Sequence, residues 1–286
     1  MFLDTYAHLA SSIESNQRPE TIALISHLLQ HTRLTAPHWP NEITSFRKNP
    51  LFDTLSRNPL TKRSFTRPRG YPGDSGLIEI IYQRQPEVEP DPVGLEIFKF
   101  TVNTGVCEAV RERLEHAREK VSGAAIAGKS ICSLACGHLR EADEIGAPYP
   151  PLTAVDSDPR ALDVIRRKHG ENIEIVEANV FAWLRRAGRE GRKFDLVYTL
   201  GLTDYLDDRQ LALLTKLAKC VLADGGRLLI ANFLDHPFSG YMEAAMDWHL
   251  VYRTQTDMAR NAERAGLNFR IYNDSADFVT YCEMWA

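Results

Sequence analysis

Residues 130–158, SICSLACGHLREADEIGAPYPPLTAVDSD, decide how this chain is read. An apolar run from Ile131 to Ala135 leads into Cys136-Gly137-His138, and a second apolar run ends in Val155-Asp156. Asp156 lies nineteen positions after Gly137. A strand, a tight turn, a helix and a second strand tipped by an acid make up the first half of a dinucleotide-type fold. The turn brings backbone N–H groups close to a ligand, and the acid can accept both hydroxyls of a ribose. The stretch therefore predicts an adenosine-containing cofactor, against the plainer alternative of a strand–turn–helix with a chance acid.

What is missing narrows the cofactor. A dinucleotide fingerprint needs three glycines, so that the turn is tight and the pyrophosphate can rest on a helix N-terminus. Here Gly137 stands alone, with Ala135 and Leu139 two residues to either side. No Walker lysine motif occurs. A loop without a phosphate cradle, but with one close-approach glycine, suits S-adenosylmethionine, which carries no phosphate.

Working outward, the 286 residues allow one large domain or a core with a sizeable extension. A net charge of −4 argues against nonspecific nucleic-acid binding. No apolar run is long enough to span a membrane. The N-terminus MFLDTYAHLASSIESNQ lacks the basic and apolar regions of a signal peptide. Cys107, Cys132, Cys136, Cys220 and Cys282 are scattered and odd in number, which fits free thiols in a reducing cytoplasm. Cys132 and Cys136 lack the paired partners of a zinc site, so no metal is expected.

Residues 1–125 read as helical and irregular, and residues 126–286 as the cofactor-binding domain. Arg18–Leu34 has apolar residues at helical spacing with Pro19 near its start. Asp91–Val121 ends in a charged amphipathic helix, and Ser122–Lys129 reads as a hinge. From Ser130 strands and helices alternate. Candidate strands are Ile131–Ala135, Leu152–Asp156, Ile173–Val176, Phe194–Thr199 and Arg227–Asn232, with Gly225-Gly226 as the turn before the fifth. After a helical stretch from Gly240 to Ala265, Asn268–Tyr272 and Asp277–Cys282 read as a terminal hairpin. Seven strands with these short connections predict an α/β fold with a doubly wound, mostly parallel sheet.

These residues resemble the class I S-adenosylmethionine-dependent methyltransferases over about Lys129–Ala286. Leu134–His138 sits where that family's glycine-rich loop wraps the methionine part of the cofactor. Asp156 matches the acid that holds the ribose, and Ala178-Asn179 the pair bordering adenine. Phe194–Thr199 matches the fourth strand, with Leu200 just beyond its tip. Ser133 stands where an acid is common, and Leu139 where a glycine is. Four further segments, RPRGYPGD (Arg67–Asp74), CGHLRE (Cys136–Glu141), GLTDYL (Gly201–Leu206) and MDWHLVYR (Met246–Arg253), are similar to a bacterial subgroup with a helical N-terminal lid. It includes the enzyme that makes 3-hydroxypalmitic acid methyl ester. That likeness implies a lid closing over the cofactor, with Tyr71 and Asp74 near it. His138 replaces the subgroup's usual proline.

The candidate cofactor contacts are thus Tyr71, Asp74, Ala135, Gly137, Asp156, Asn179 and Leu200. Tyr-Pro-Gly-Asp is also a good β-turn by itself. Candidate catalytic groups are Tyr71, His138, Asp204 and Tyr205. Asp204-Tyr205 could equally be a helix-start acid and a packed aromatic, and His138 a structural histidine. Trp248, Tyr252 and Arg253 fall on one predicted helix. Arg253, with Arg69 and Tyr252, is a candidate contact for a small-molecule substrate, because guanidinium grips carboxylate in a fork. Methyl transfer chiefly needs alignment and exclusion of water. The same cofactor could instead close on itself, its α-amine attacking its γ-carbon to give azetidine-2-carboxylate and methylthioadenosine. A third reading is a non-catalytic cofactor-binding module.

Overall fold

The structure, a computed structural model, describes residues 9–13, 18–145 and 149–286. It falls into two compact units: the described part of Met1–Arg111 together with Asp235–His249, and the described part of Glu112–Leu234 together with Leu250–Ala286. In chain order the helices of the first stretch are α1 (Arg18–Thr35), α2 (Trp39–Phe46), α3 (Pro50–Leu55), α4 (Pro59–Thr66), α5 (Ser75–Gln83), α6 (Pro92–Thr101) and α7 (Gly105–Ile126). Those that follow are α8 (Pro159–His169), α9 (Val180–Arg189), α10 (Asp208–Lys219), α11 (Ser239–Ala245) and α12 (Gln255–Arg264). Among the described residues no helix is long and apolar enough to cross a membrane.

The first unit is helical. Ile22, Ile25 and Leu29 recur at helical spacing along α1 and are at most 1% exposed. Several helices open in one way: Asn49, Asn58 and Asp91 each accept a backbone N–H at the N-cap, and a proline follows where no N–H is needed. Asn58 also donates to Thr61 and Thr101, and the Thr61 hydroxyl lies 3.0 Å from that of Tyr241 on α11. Helix α11 packs closely on α1. A Cβ on Gly240 would come within 2.6 Å of the Leu29 and Gln30 backbone, and the Gly240 N–H donates to Gln30 Oε1.

The second unit is an α/β sandwich around one seven-stranded sheet. The strands are β1 (Ile131–Leu134), β2 (Leu152–Asp156), β3 (Glu174–Glu177), β4 (Phe194–Thr199), β5 (Leu222–Phe233), β6 (Asn268–Asn273) and β7 (Val279–Trp285). Their order is β3-β2-β1-β4-β5-β7-β6. β1 to β5 run parallel, while β7 is antiparallel to both β5 and β6. β1 and β2 are buried throughout, as parallel strands covered on both faces must be. Asp158 caps α8 through Arg160 N, Pro159 follows, and Arg166, Arg167, Lys168 and His169 crowd its last turn, where cations suit the helix dipole. The doubly wound, mostly parallel seven-stranded fold is as the sequence predicts.

Several local expectations are corrected. The loop after β1 leads into a single 3-10 turn, Arg140–Ala142, rather than a full helix. Pro150 and Pro151, just before β2, cannot continue one. The predicted hinge at Ser122–Lys129 is largely helix: α7 continues to Ile126, and the turn after it reaches Gly128, whose φ is +64°. The boundary expected at 125/126 therefore lies at the end of a helix, whereas the compact units divide at Arg111/Glu112. Gly225-Gly226 is a bulge inside β5 rather than a turn before it: Phe194 pairs with Leu222, and Leu196 with Arg227. The helix predicted from Gly240 to Ala265 is two helices. Asp247, at φ +50°, lies in the left-handed region just after α11, and Trp248 to Thr254 is not helical.

Candidate functional site

In an open parallel sheet, ligands bind beyond the carboxyl ends of the strands, where the strand order reverses. Here β2 and β3 lie on one side of β1, and β4 and β5 on the other, so that point is between β1 and β4. Ala135, Gly137 and His138 follow β1; Asp156 ends β2; Asn179 follows β3; Leu200, Asp204 and Tyr205 follow β4. The fold thus gathers at one end of the sheet eight residues that are spread over 71 positions of the sequence, from 135 to 205.

The loop after β1 is unusual in its backbone. Ala135, Gly137 and Leu139 all have φ near +50°. For Ala and Leu this region is disfavoured. Surrounding bonds hold it in place. Cys136 N donates to Val155 O, Leu139 N to Cys136 O, and Gly137 N to Asp156 Oδ2 at 2.8 Å. The other oxygen, Oδ1, accepts from Asp158 N at 2.9 Å. Asp156 is 7% exposed, so one carboxylate ties the β1 loop to the start of α8.

Asn179 differs in detail from expectation. Its Oδ1 accepts from Phe181 N and Ala182 N as the N-cap of α9. Its side-chain oxygen is engaged by the cap, which leaves the side-chain NH2 as the group a ligand could use.

Asp204 is 2% exposed. Its Oδ1 accepts from Phe233 N at 2.7 Å, and Oδ2 lies 3.6 Å from Arg113 Nη1. Burial pushes its carboxyl up to about 6, against the opposing pull of Arg113. Arg113, on α7, also lies over the Phe233 ring at 5.0 Å. Sequence reading passed over Arg113, since nothing in an amphipathic helix marks which arginine turns inward.

Arg253 corrects a sequence expectation. It is 3% exposed, and its Nη1 donates to Thr203 O (2.9 Å) and Asn232 Oδ1 (3.0 Å). Nη2 donates to Leu206 O (2.6 Å) and Asp208 Oδ1 (3.1 Å). Its fork is spent on the chain itself, so it is no carboxylate clamp. Nor do Trp248, Tyr252 and Arg253 lie on a helix. Val251 N and Arg253 N bond to Asp204 O, after β4, and to Phe233 O, at the end of β5, which holds this stretch extended. Tyr252 is partly buried.

Arg69, Tyr71 and Asp74 belong to the first unit. Asp74 is fully buried. It caps α5 through Leu77 N at 2.8 Å and pairs with Arg63 at 2.9 Å. Both oxygens are engaged within the unit. Arg69 Nη1 donates to Ser75 Oγ, and Tyr71 keeps 37% of its surface exposed.

Two further groups stand at the sheet end. The Tyr198 hydroxyl donates to Glu141 Oε1 at 2.6 Å. Burial raises the Glu141 carboxyl and, more strongly, the Tyr198 phenol. A polar-tipped aromatic inside the apolar run of β4 was the available signal for the second.

The chain is similar to a protein from Bordetella parapertussis described as a possible exported protein: 18% identity, 95% of this chain and 97% of that one, TM-score 0.64. More distant in shape is magnesium protoporphyrin IX methyltransferase from Synechocystis with bound SAH (10% identity, 64% and 88% covered, TM-score 0.49). So is an O-methyltransferase family protein from Burkholderia thailandensis (21%, 68% and 60%, TM-score 0.47). No family model and no curated relative matches the chain. At 18% identity, the first likeness establishes a shared fold and nothing of its chemistry.

Proposed function

We propose that this chain is an S-adenosylmethionine-dependent enzyme that transfers a methyl group to a small molecule. The observation that carries this reading is the pairing of the β1 loop with Asp156 at the sheet's switch point. No lysine or arginine lies in the loop Ala135–Leu139, and the carboxylates of Asp156 and Glu141 stand beside it. A cationic cofactor without phosphate fits such a donor set; a pyrophosphate does not.

When bound, S-adenosylmethionine supplies a sulfonium that activates the carbons attached to it. In this reading Asp156 receives the ribose hydroxyls while holding the loop, and Asn179 borders the base. Leu200 lies against the cofactor and helps to exclude water. Where the acceptor is an amine or phenol, Tyr71, His138, Asp204 and Tyr205 are the groups proposed to take its proton; a carboxylate acceptor needs none. With Arg253 engaged by the chain, the case for a carboxylate acceptor rests on Arg69 alone. The covering role of the N-terminal helices belongs to the same proposal, and protection of Arg67–Asp74 from hydrogen exchange on adding cofactor is its test.

The deciding experiment is incubation with S-adenosylmethionine, alone and with small carboxylic acids, phenols and amines, followed by mass spectrometry. S-adenosylhomocysteine formed only with an acceptor supports methyl transfer. Methylthioadenosine and azetidine-2-carboxylate from cofactor alone would replace it with cyclisation. Binding without any product would leave a non-catalytic module.

A further inference from the structure

Arg113 is a buried cation whose hydrogen-bonding capacity is unspent. It sits on α7 and is 7% exposed. Among the described residues its Nη1 is enclosed without a hydrogen-bond partner, and its one ion-pair contact is Asp204 Oδ2, at 3.6 Å. Arg253, also buried and in the same unit, shows what a structural guanidinium does: its two terminal nitrogens serve four acceptors. A buried polar group without a partner costs free energy, the more so when charged, and an anionic ligand would offset that cost.

The surroundings of Arg113 say where such a ligand would lie. The guanidinium carbon is 5.0 Å from the centroid of the Phe233 ring, which covers one face and leaves the N–H edge for an acceptor. Gly201 is exposed, and a Cβ there would stand 3.9 Å from Nη2; as glycine it leaves that edge uncovered. Gly201 and Asp204 follow β4, and Phe233 ends β5, so the guanidinium belongs to the β4–β5 side of the switch point. Gly137 and Asp156 stand on the other side, after β1 and at the tip of β2. A cofactor held there leaves the Arg113 side to a second substrate.

We propose that Arg113 anchors the second substrate, a small organic anion, through a charged oxygen, with Phe233 behind the guanidinium and Gly201 as the opening. The proposal rests on the cofactor reading above. Of the arginines singled out in the sequence, only Arg69 was left for an anionic acceptor; Arg113 adds one from the unit that holds the sheet. Asp204 competes for the same guanidinium, so removing its charge should tighten binding of the anion rather than weaken it.

The test titrates two anions and their neutral counterparts, benzoate with benzamide and 4-nitrophenolate with 4-nitroanisole, into the full chain loaded with S-adenosylhomocysteine. Chemical-shift changes at the Gly201 and Phe233 amides report binding, at about pH 8, where Asp204 is ionised. At least one anion should bind about tenfold or more tighter than its neutral counterpart, as a charge-assisted hydrogen bond gives, and the pair that shows it tells carboxylate from phenolate. Arg113→Met, with similar reach and no donor, should abolish that preference while S-adenosylhomocysteine binds as before. Asp204→Asn keeps an acceptor for the Phe233 amide and removes the competing charge, so it should raise the affinity of the anion by about threefold or more. No preference for either anion in the wild type would overturn the proposal, whether or not Arg113→Met folds. So would a preference that survives in Arg113→Met, or a weaker anion affinity in Asp204→Asn. An equal loss of S-adenosylhomocysteine affinity in Arg113→Met would assign the guanidinium to the cofactor and overturn it too. Failure of the wild type to bind S-adenosylhomocysteine at all would instead sink the cofactor reading, and the same titrations on the unloaded chain would still decide whether Arg113 holds an anion.

Discussion

Replacing Arg253 with methionine should destabilise the protein and not merely a binding step. The guanidinium serves three buried acceptors, Thr203 O, Leu206 O and Asn232 Oδ1, and the exposed Asp208 carboxylate. Methionine has a similar reach and no donor. A buried acceptor left unpaired costs roughly 1–3 kcal/mol. Three such losses, softened by entering water and by relief from burying a charge, come to about 3–5 kcal/mol. For a chain of this size each kcal/mol moves Tm by about 2–4 °C, so calorimetry should record a fall of about 6–20 °C. Arg253→Lys should fall in between, since one ammonium cannot span all four partners. Hydrogen exchange should rise at Val251 and Arg253, whose amides bond to Asp204 O and Phe233 O. The reasoning is refuted if Arg253→Met melts within about 2 °C of wild type, less than 1 kcal/mol on this scale, and only the KM for an acceptor rises. That outcome would restore the carboxylate clamp.

Asp156→Ala should weaken S-adenosylmethionine binding by about 1–3 kcal/mol, and Asp156→Asn should also loosen the loop, because an amide NH2 would oppose the N–H of Gly137 or Asp158. Unchanged affinity in a folded Asp156→Ala variant rules the ribose assignment out. With the Asp204 carboxyl raised from 3.8 to about 6, the native state holds that proton more tightly than the unfolded chain. Its contribution to stability is present below about pH 3.8 and lost as pH climbs through about 6. The stability of wild type relative to Asp204→Asn, from urea unfolding, should therefore fall across that window; a flat or rising difference would show that Arg113 outweighs burial. Gly240→Ala should cost about 1–3 kcal/mol by forcing α1 and α11 apart, whereas Gly123→Ala, with open space at its Cβ on α7, should be neutral or stabilising by up to about 1 kcal/mol. Equal melting shifts for the two would show that the helix contact yields freely.

The strands with unbroken apolar runs were legible to within a residue or two: β2 and β4 begin and end where the pattern does. Buried parallel strands carry that signal on every residue. β5 was not, because its bulge places Gly225-Gly226 inside the strand, and two glycines read as a turn. The stretch from Met246 to Arg253 has helical spacing of Trp248 and Tyr252, yet Val251 N and Arg253 N bond to Asp204 O and Phe233 O, distant partners that no local pattern reveals. The place of Asp156 at the tip of β2, opposite Gly137, was legible because strand-tip position and spacing are sequence properties. The contacts of Glu141, Tyr198 and Arg113 were not, since they depend on which side chains meet across the fold. The caps at Asn49-Pro50, Asn58-Pro59 and Asp91-Pro92 were readable, and overlooked in a region taken as irregular.

The excursion Asp235–His249 bears on how the chain is made. The first unit needs α11: Gly240 seats it on α1, and Arg33 and Trp39 both bond to Glu243, some 200 residues later in the chain. On a ribosome, α1 to α6 emerge long before that piece. β1 to β5 must be synthesised while Ile22, Ile25 and Leu29 still wait for the helix that completes their surroundings. Contacts of such separation slow folding and leave apolar surface open to misassociation. The first unit is therefore translated in large part before the sheet and is among the last to close, and cutting the chain at residue 111 would leave it without α11.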